Sequence, residues 1–276
     1  MRRCMSGRCS SAGGIIFIKS WYERQADVCL SKYNMDEIIT TVNNDIKLIQ
    51  KKNGLTFGTD ALLLSAFVRR MPKSTAVDFG SGSGIISLLC CKRNKFKHIY
   101  AVETQGDFYD IITRNVNENN ATDIITPIHS DVRDLNMECD VVFTNPPYMK
   151  TGHGKRNEND YKYIARHEVH GDIDDFCRSA SKILKYGGVF YVVYRPDRMI
   201  DLLSAMRNNN LEPKRLVNVY NDINHESCLI LVEAKKGGKP SLFTTQPLII
   251  YENGVMTDEM KYIYENGEFS DRYIKK

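Results

Sequence analysis

A stiff polar turn follows an apolar strand near the middle of the chain. The stretch "DVVFTNPPYMKTG" (residues 140–152) passes from apolar residues into Asn145, Pro146, Pro147 and Tyr148. The prolines fix φ near about −65° and remove two backbone donors, so the turn is rigid and its carbonyl groups remain available as acceptors. Asn145 adds a side-chain carbonyl, and Tyr148 adds a flat aromatic face.

Such a turn suits a planar substrate that carries an amino group. An exocyclic amine on a base is a poor nucleophile, because its lone pair is delocalised into the ring. The Asn145 side chain and the Pro146 carbonyl would hold both amine hydrogens and aim the lone pair at an electrophile, so catalysis would rest on positioning and electrostatics. Tyr148 would stack on the base. We therefore predict Asn145, Pro146 and Tyr148 as catalytic residues, against the alternative of a plain proline-rich turn.

A glycine-rich turn precedes this motif in the chain. In "VDFGSGSGI" (77–85), a predicted strand leads through Gly-x-Gly-x-Gly into a predicted helix. Glycines let the backbone turn tightly and approach a ligand closely. Glu103 lies 19 residues after Gly84, at the end of the next predicted strand. A carboxylate there can accept both hydroxyls of a ribose. A nicotinamide enzyme would more often show Gly-x-Gly-x-x-Gly, with a pyrophosphate at the helix N-terminus.

The glycine turn, with Asp78 two positions ahead of Gly80, resembles the first motif of S-adenosylmethionine (SAM)-dependent methyltransferases. The resemblance implies SAM as the cofactor and a Rossmann-like class I fold. It implies that Asp131 lies near the adenine and that Asp78 and the glycine turn face the methionine part. The predicted cofactor-binding residues are Asp78, Gly80, Ser81, Gly82, Gly84, Glu103, Asp131, Val132 and Asn145. Combined with Asn-Pro-Pro-Tyr, this motif resembles that of amino-group methyltransferases, which modify adenine N6, guanine N2, cytosine N4 or a glutamine side chain.

The segment "LTFGTDALLLSAFV" (55–68) narrows the family. Its residues predict a helix capped by Thr59 or Asp60, with an apolar face that includes Leu62, Leu63 and Ala66. Phe-Gly-Thr-Asp-Ala followed by leucines resembles the entry segment of the bacterial tRNA1(Val) adenine-37 N6-methyltransferase family, where related segments cover the SAM pocket. "ARHE" and "RPDRMIDLLSAMRNNNLEPKRL" resemble the Gram-positive branch. The resemblance runs from about Met35 to Tyr251 and implies SAM-dependent N6-adenine methylation of tRNA.

Alternating strands and helices would position these residues. The apolar patterns predict strands at 74–79, 98–103, 123–131, 139–144, 189–194, 214–220 and 228–234, and helices at 85–93, 106–120, 172–185 and 197–210. This order predicts an α/β fold with a mostly parallel seven-stranded sheet, a terminal antiparallel hairpin, and helices on both faces. Ligands of such sheets bind beyond the carboxyl ends of the strands, where the motifs fall.

A polar loop follows the catalytic turn. In "MKTGHGKRNENDYKYIARHE" (149–168), four basic residues are predicted to meet substrate phosphates: Lys150, Lys155, Arg156 and Arg166. Tyr148 completes the predicted substrate contacts. A solvated loop with no substrate contact is the alternative, and we expect His167 to be structural. The second basic cluster, "KKGGK" (235–239), is expected to be a solvated turn rather than an RNA contact.

Composition, net charge and cysteine spacing exclude few functions. The chain has 276 residues and a net charge of +4, which permits an anionic partner without indicating one. The eight cysteines form no Cys-x-x-Cys pair, which favours a reduced, cytoplasmic protein with no metal site. We find no apolar run long enough to cross a membrane. We expect residues 1–34 to be a poorly ordered extension ahead of a natural start at Met35. Residues 35–276 would form a single methyltransferase domain, monomeric and partnered by tRNA.

Three other functions compete with the RNA methyltransferase. A protein glutamine N5-methyltransferase acting on a release factor would use the same turn, but usually carries a helical domain ahead of the core. The polar segment before Phe57 is too short for that domain. A DNA amino-methyltransferase would need an added target-recognition region. A SAM-binding protein without catalysis would not need the Asn-Pro-Pro-Tyr turn.

Overall fold

The computed structural model describes residues 36–43, 45–52, 58–147 and 171–274. The predicted extension at 1–34 and the predicted substrate residues Tyr148, Lys150, Lys155, Arg156 and Arg166 lie outside these ranges. His167 also lies outside them. The division of the chain into an extension and one domain stays a prediction.

The described residues form nine longer strands, four two-residue strands and six α-helices. The longer strands are β1 (Glu37–Val42), β2 (Ile46–Lys51), β3 (Met71–Phe79), β4 (Phe96–Glu103), β5 (Ile125–His129), β6 (Cys139–Thr144), β7 (Leu184–Tyr194), β8 (Leu211–Tyr220) and β9 (Ser227–Lys236). The short ones are β10 (Phe243–Thr244), β11 (Leu248–Ile249), β12 (Tyr251–Glu252) and β13 (Val255–Met256). The helices are α1 (Thr59–Phe67), α2 (Ile85–Lys92), α3 (Gly106–Glu118), α4 (Ile173–Ile183), α5 (Met199–Asn208) and α6 (Asp258–Asn266).

The central sheet has the predicted topology. Its strand order is β10-β8-β9-β7-β6-β3-β4-β5, with β11 also paired to β8. Strands β7, β6, β3, β4 and β5 are parallel, and β9 runs antiparallel between β7 and β8. The seven predicted strands and the antiparallel pair are therefore confirmed. The two-residue strands β10 and β11 were not predicted, because two residues show no periodicity.

Helices cover both faces of the sheet, as predicted. Helices α1, α2, α3 and α6 share one apolar core, and α4 and α5 share the other. Successive residues of β3 supply the two cores alternately, with Ala76 in the first and Val77 in the second. None of the helices in the described ranges has the length and apolar character needed to span a bilayer.

Helix α1 corrects the predicted cap and is more fully buried than its sequence indicates. The helix begins at Thr59, and Gly58, which has no side chain, occupies the N-cap position. A capping side chain must belong to the residue ahead of the first helical one, so neither Thr59 nor Asp60 caps the helix. Leu62, Leu63 and Ala66, which were predicted to lie on its apolar face, are buried, and the burial extends to every residue from Ala61 to Phe67. The helix is therefore surrounded by protein along this segment. Because Asp60 does not cap the helix, its carboxylate is available for another contact.

Helix α4 ends earlier than predicted. Asp172 and Asp175 form a reciprocal capping box at its start, which agrees with the predicted acidic opening. The backbone leaves the helix at Leu184, which already pairs with Cys139 of β6. Strand β7 therefore starts five residues before the predicted residue 189, and the predicted helix end at Lys185 is two residues too late.

Candidate active site

The predicted site residues within the described ranges lie at one edge of the sheet. In the parallel register, Phe79 of β3 pairs with Thr144 of β6, so Gly80 and Asn145 follow neighbouring strand ends. Glu103 at the end of β4 pairs with His129 of β5, two residues ahead of Asp131. The strand order reverses direction between β3 and β6. Ligands of folds of this kind bind at such a reversal.

The glycine turn needs its glycines for two reasons. Gly80, Gly82 and Gly84 have φ values of 66°, 55° and 79°, in the left-handed region that side chains disfavour. A Cβ at Gly84 would stand 2.5 Å from Cγ1 of Ile112 in α3, so close packing also demands glycine there. A Cβ at Gly82 would meet no non-neighbouring atom of the described residues within 4 Å. The backbone at Gly82 is therefore approachable by a ligand.

Asp78 is a buried carboxyl group directly below this turn. It is 0% exposed, and its Oδ2 accepts a 2.7 Å hydrogen bond from the Ser87 hydroxyl of α2. Among the described residues, its buried Oδ1 has no hydrogen-bond partner. Burial raises the pKa of Asp78 to about 7, opposed by the Ser87 hydrogen bond and assisted by the charge of Glu103. An unpaired buried acceptor at this place fits a ligand that brings an ammonium group.

Backbone amides hold the Glu103 carboxylate at the end of β4. The amide of Gly82 donates to Oε2 and the amide of Gln105 donates to Oε1, each at 2.9 Å. Glu103 is 5% exposed. A carboxylate oxygen can accept more than one hydrogen bond, so these contacts orient the group and leave it able to receive ribose hydroxyls. Ser81 contributes a bond from its hydroxyl to the carbonyl of Val102, which fastens the turn to β4.

Asp131 opens a short 3₁₀ turn, Val132–Asp134, after β5. Its Oδ1 accepts from the backbone amide of Arg133, and its two carboxylate oxygens pair with the Arg133 guanidinium at 2.9 and 2.6 Å. Val132 is buried. The structure thus brings both predicted residues to the Glu103 side of the cleft and gives the Asp131 carboxylate a partner that sequence reasoning did not identify.

The Asn145 turn stands on the other side of the glycine turn. The Thr144 hydroxyl donates to the carbonyl of Phe79 at 2.9 Å, which ties the ends of β6 and β3 together. Pro146 is buried and Asn145 is half-buried. The Nδ2 atom of Asn145 donates to Oδ2 of Asp60, at the start of α1, at 2.8 Å. Sequence reasoning missed this contact because the two residues are 85 positions apart and Asp60 fits a capping motif.

Asn115 is a second residue that sequence reasoning missed. This fully buried side chain of α3 donates from Nδ2 to the carbonyl of Ser83 in the glycine turn at 2.8 Å. It also exchanges hydrogen bonds with both backbone groups of Ile49 in β2. Asn115 therefore joins the β1–β2 hairpin to the glycine turn. The only sequence signal for this role was that Asn115 lies four residues after Ile111, on a helix face that is otherwise apolar.

The basic cluster at 235–239 lies away from the cleft. Strand β9 is antiparallel to both β7 and β8, and its last residue, Lys236, pairs with Leu211 at the beginning of β8. The cluster therefore stands at the edge of the sheet opposite Asn145 and Glu103. This position is compatible with the expected solvated turn and is away from the predicted site residues at the other edge.

Known proteins resemble this chain over most of its length. The methyltransferase small domain family matches residues 51–209. A tRNA1(Val) (adenine(37)-N6)-methyltransferase of Dyadobacter fermentans is 25% identical, over 74% of this chain and 85% of the relative. A protein of the same name from Phocaeicola vulgatus is 29% identical, over 79% of this chain and 86% of the relative.

Solved structures show the same fold. A predicted O-methyltransferase of Agrobacterium tumefaciens superposes with a TM-score of 0.59 at 21% identity, covering 75% of this chain and 96% of the other. TYW2 of M. jannaschii, solved in complex with AdoMet, gives a TM-score of 0.53 at 18% identity, over 74% and 87%. The family match covers 159 of the 276 residues, and it includes both the glycine turn and Asn145. The chain therefore belongs to the methyltransferase small domain family.

Proposed function

We propose that the protein is a SAM-dependent N6-adenine methyltransferase that acts on tRNA. The observation that carries this proposal is the placement of Asn145 and Pro146 at the end of β6, directly beside Gly80 at the end of β3. A turn that binds the cofactor and a turn that holds the amine lie on adjacent strand ends, which suits methyl transfer from one bound molecule to the other.

The cofactor would lie over the glycine turn. Glu103 would receive the ribose hydroxyls, and Asp131 and Val132 would lie near the adenine. The unpaired Oδ1 of Asp78 suits the ammonium group of the methionine part, beside the approachable backbone of Gly82. When bound, SAM supplies an electrophilic methyl group whose carbon–sulfur bond breaks as the new carbon–nitrogen bond forms.

Asn145 and Pro146 would prepare the substrate nitrogen. Their two carbonyl oxygens accept the hydrogens of the amine, which holds the nitrogen in place and localises its lone pair. The nitrogen must lose one proton in the reaction, and water at the cleft mouth takes it, because the positively charged amine formed on methylation is strongly acidic. No side chain with a high pKa is needed as a base, so positioning carries most of the rate.

The substrate class rests on the relatives and on the turn. Relatives that cover most of this chain are named as enzymes acting on adenine 37 of tRNA1(Val), and we propose the same nucleotide here. An adenine stacked in an RNA loop must turn outward to reach a pocket at the strand ends. Tyr148 would then stack on it, and Lys150, Lys155, Arg156 and Arg166 would contact phosphates; these five residues lie outside the described ranges.

Label transfer with nucleoside analysis tests this function. Wild-type protein is incubated with methyl-labelled SAM and tRNA that lacks modifications, and the digested nucleosides are separated. Label in N6-methyladenosine, absent with Asn145→Ala, is the expected result, and a valine tRNA changed at adenine 37 should lose the label. Label appearing instead in a release factor, with none in RNA, would replace the proposal by glutamine methylation.

A further inference from the structure

The Asp60 carboxylate contacts the side chain of the catalytic turn directly. Its Oδ2 accepts from Nδ2 of Asn145 at 2.8 Å, and its Oδ1 accepts from the backbone amide of Ala61 at 2.9 Å. Each carboxylate oxygen thus receives a donor of its own. Both side chains are half-buried, where a hydrogen bond to a charged group is stronger than in water.

This contact fixes which way the Asn145 amide faces. A carboxylate has acceptors only, whereas the two ends of an asparagine amide are a donor and an acceptor. The NH₂ end must therefore face Asp60, and Oδ1 must lie on the other side of the amide. A reversed amide would place two oxygen acceptors against each other across the same distance. The contact decides whether the turn presents a carbonyl or an NH₂ group to the cleft.

We propose that Asp60 is a positioning residue that holds the carbonyl oxygen of Asn145 toward the substrate amine. The inference rests on the proposed function, since it assigns Asn145 the role of acceptor. Asp60 touches neither substrate nor cofactor in this account and acts through Asn145 alone. With the amide reversed, the turn would present a donor to an amine that is itself a donor.

Gly58 leaves the space that this arrangement needs. Its backbone is extended, with φ −121° and ψ 177°, a conformation that any residue adopts. A Cβ at this position would stand 2.6 Å from Oδ1 of Asp60. Glycine therefore leaves room for the carboxylate, which a side chain at this position would push aside. Gly58→Ala should displace the carboxylate without changing any charge.

The far end of α1 is anchored independently of Asp60. The Lys95 ammonium donates to the carbonyls of Ser65, Ala66 and Val68, at 2.7, 3.3 and 2.6 Å. The Arg215 guanidinium donates to the carbonyl of Phe67 at 2.8 Å and lies 3.8 Å from the centre of the Phe67 ring. Two buried cations at the negative end of the helix thus hold α1 in place. Changing Asp60 should leave the helix seated.

Three variants separate amide orientation from a merely structural role. Asp60→Asn keeps the size but offers one oxygen for two donors, so the contact with residue 60 no longer selects one orientation of the Asn145 amide. We expect turnover to fall about 30-fold or more, with the SAM dissociation constant changed less than twofold. Gly58→Ala should lower turnover in the same direction. Asp258→Asn, which changes an exposed first-turn aspartate of α6, is the matched control and should leave turnover unchanged.

The exchanged pair gives the sharpest test. In Asp60→Asn combined with Asn145→Asp, the new amide donates to the new carboxylate, and the second carboxylate oxygen faces the cleft as an acceptor. We expect turnover at least tenfold above that of Asp60→Asn alone. Retention of more than half the wild-type turnover by Asp60→Asn would overturn the proposal. An equal loss of SAM affinity and turnover would also overturn it, because it would indicate a structural role.

A second readout does not depend on activity. Urea unfolding of Asp60→Ala, Asn145→Ala and the double variant should be non-additive, because the two side chains share one bond. Additive effects would overturn the contact itself. If wild-type protein methylated no RNA, the proposed function would fail while non-additivity still supported the pairing. If wild-type protein were active and Asp60→Asn equally active, only the present inference would fail.

Discussion

The two halves of the cleft are built by different means. In the cofactor half, made of Asp78, Gly80–Gly84, Glu103 and Asp131, backbone amides of Gly82, Gln105 and Arg133 donate to Glu103 and Asp131. The side chains of Ser87 and Arg133 add further donors to Asp78 and Asp131. Among the described residues, the side chain of the catalytic half, Asn145–Pro147, contacts Asp60, a side chain 85 residues away in the chain. The backbone donors of the first half belong to residues at the strand ends themselves, whereas the second half requires a particular side chain on helix α1.

This difference predicts that the two halves can be changed separately. Substitutions in the cofactor half should alter the SAM dissociation constant, and substitutions in the catalytic half should alter turnover at saturating SAM.

Gly84→Ala should damage the cofactor half most. The new Cβ would stand 2.5 Å from Ile112, and φ of 79° is already unfavourable for alanine. We expect SAM affinity to fall about 100-fold, measured by titration calorimetry well below the unfolding temperature. Gly254→Ala is the matched control, because Gly254 has φ of 76° but meets no non-neighbouring atom of the described residues within 4 Å. Equal losses of SAM affinity in both variants would show that backbone strain lowers the affinity, rather than the contact with Ile112 in the cleft.

Lys95→Met should lower stability while sparing the chemistry of both halves. Lys95 is 3% exposed, and methionine cannot donate to the three carbonyls that end α1. We expect the free energy of unfolding to fall by about 2 kcal/mol, measured in urea.

Lys92→Met, at a residue about one-third exposed on α2, is the control for removing a surface charge. It should change the free energy of unfolding by less than about 0.5 kcal/mol. A Lys95→Met protein as stable as wild type would show that α1 is seated without its buried cation.

SAM affinity should rise with pH through neutrality. Burial raises the pKa of Asp78 to about 7, so the folded protein keeps a proton that the unfolded chain has lost. A cationic ligand favours the ionised carboxyl, and its binding must release that proton. From pH 8 to pH 6 we therefore expect affinity to fall about tenfold.

The same shift has the opposite effect on the ligand-free fold. A raised carboxyl pKa stabilises the fold fully below the ordinary pKa of aspartate, and this contribution is lost as pH rises through about 7. Asp78→Asn should flatten the pH dependence of SAM binding. An unchanged slope in that variant would assign the pH dependence to another group.

The parts of the cleft differ in how well the sequence predicts them. Gly80–Gly84, Glu103 and Asp131 lie next to predicted strands, and parallel pairing brings strand ends to one edge, so their convergence follows from local patterns. Asn145 was predicted for the same reason. Asp60 was assigned to a helix cap, because a first-turn aspartate next to Thr59 has that local explanation.

Long-range side-chain contacts explain the remaining differences. No spacing rule links Asp60 to Asn145, or Asn115 to Ser83 and Ile49, because these pairs form only when separate elements pack. Helix α1 is buried along Ala61–Phe67, and Lys95 and Arg215 satisfy carbonyls at its end inside the protein. Buried cations at a helix end are not visible from the apolar periodicity of that helix.

The most direct test of the central claim is one comparison on Asn145→Ala. The SAM dissociation constant is measured by calorimetry, and turnover on unmodified tRNA is measured at saturating SAM. The account predicts SAM affinity within twofold of wild type and turnover lower by about 100-fold or more. Parallel losses of affinity and turnover would contradict it, because Asn145 would then support the cofactor half instead of holding the amine.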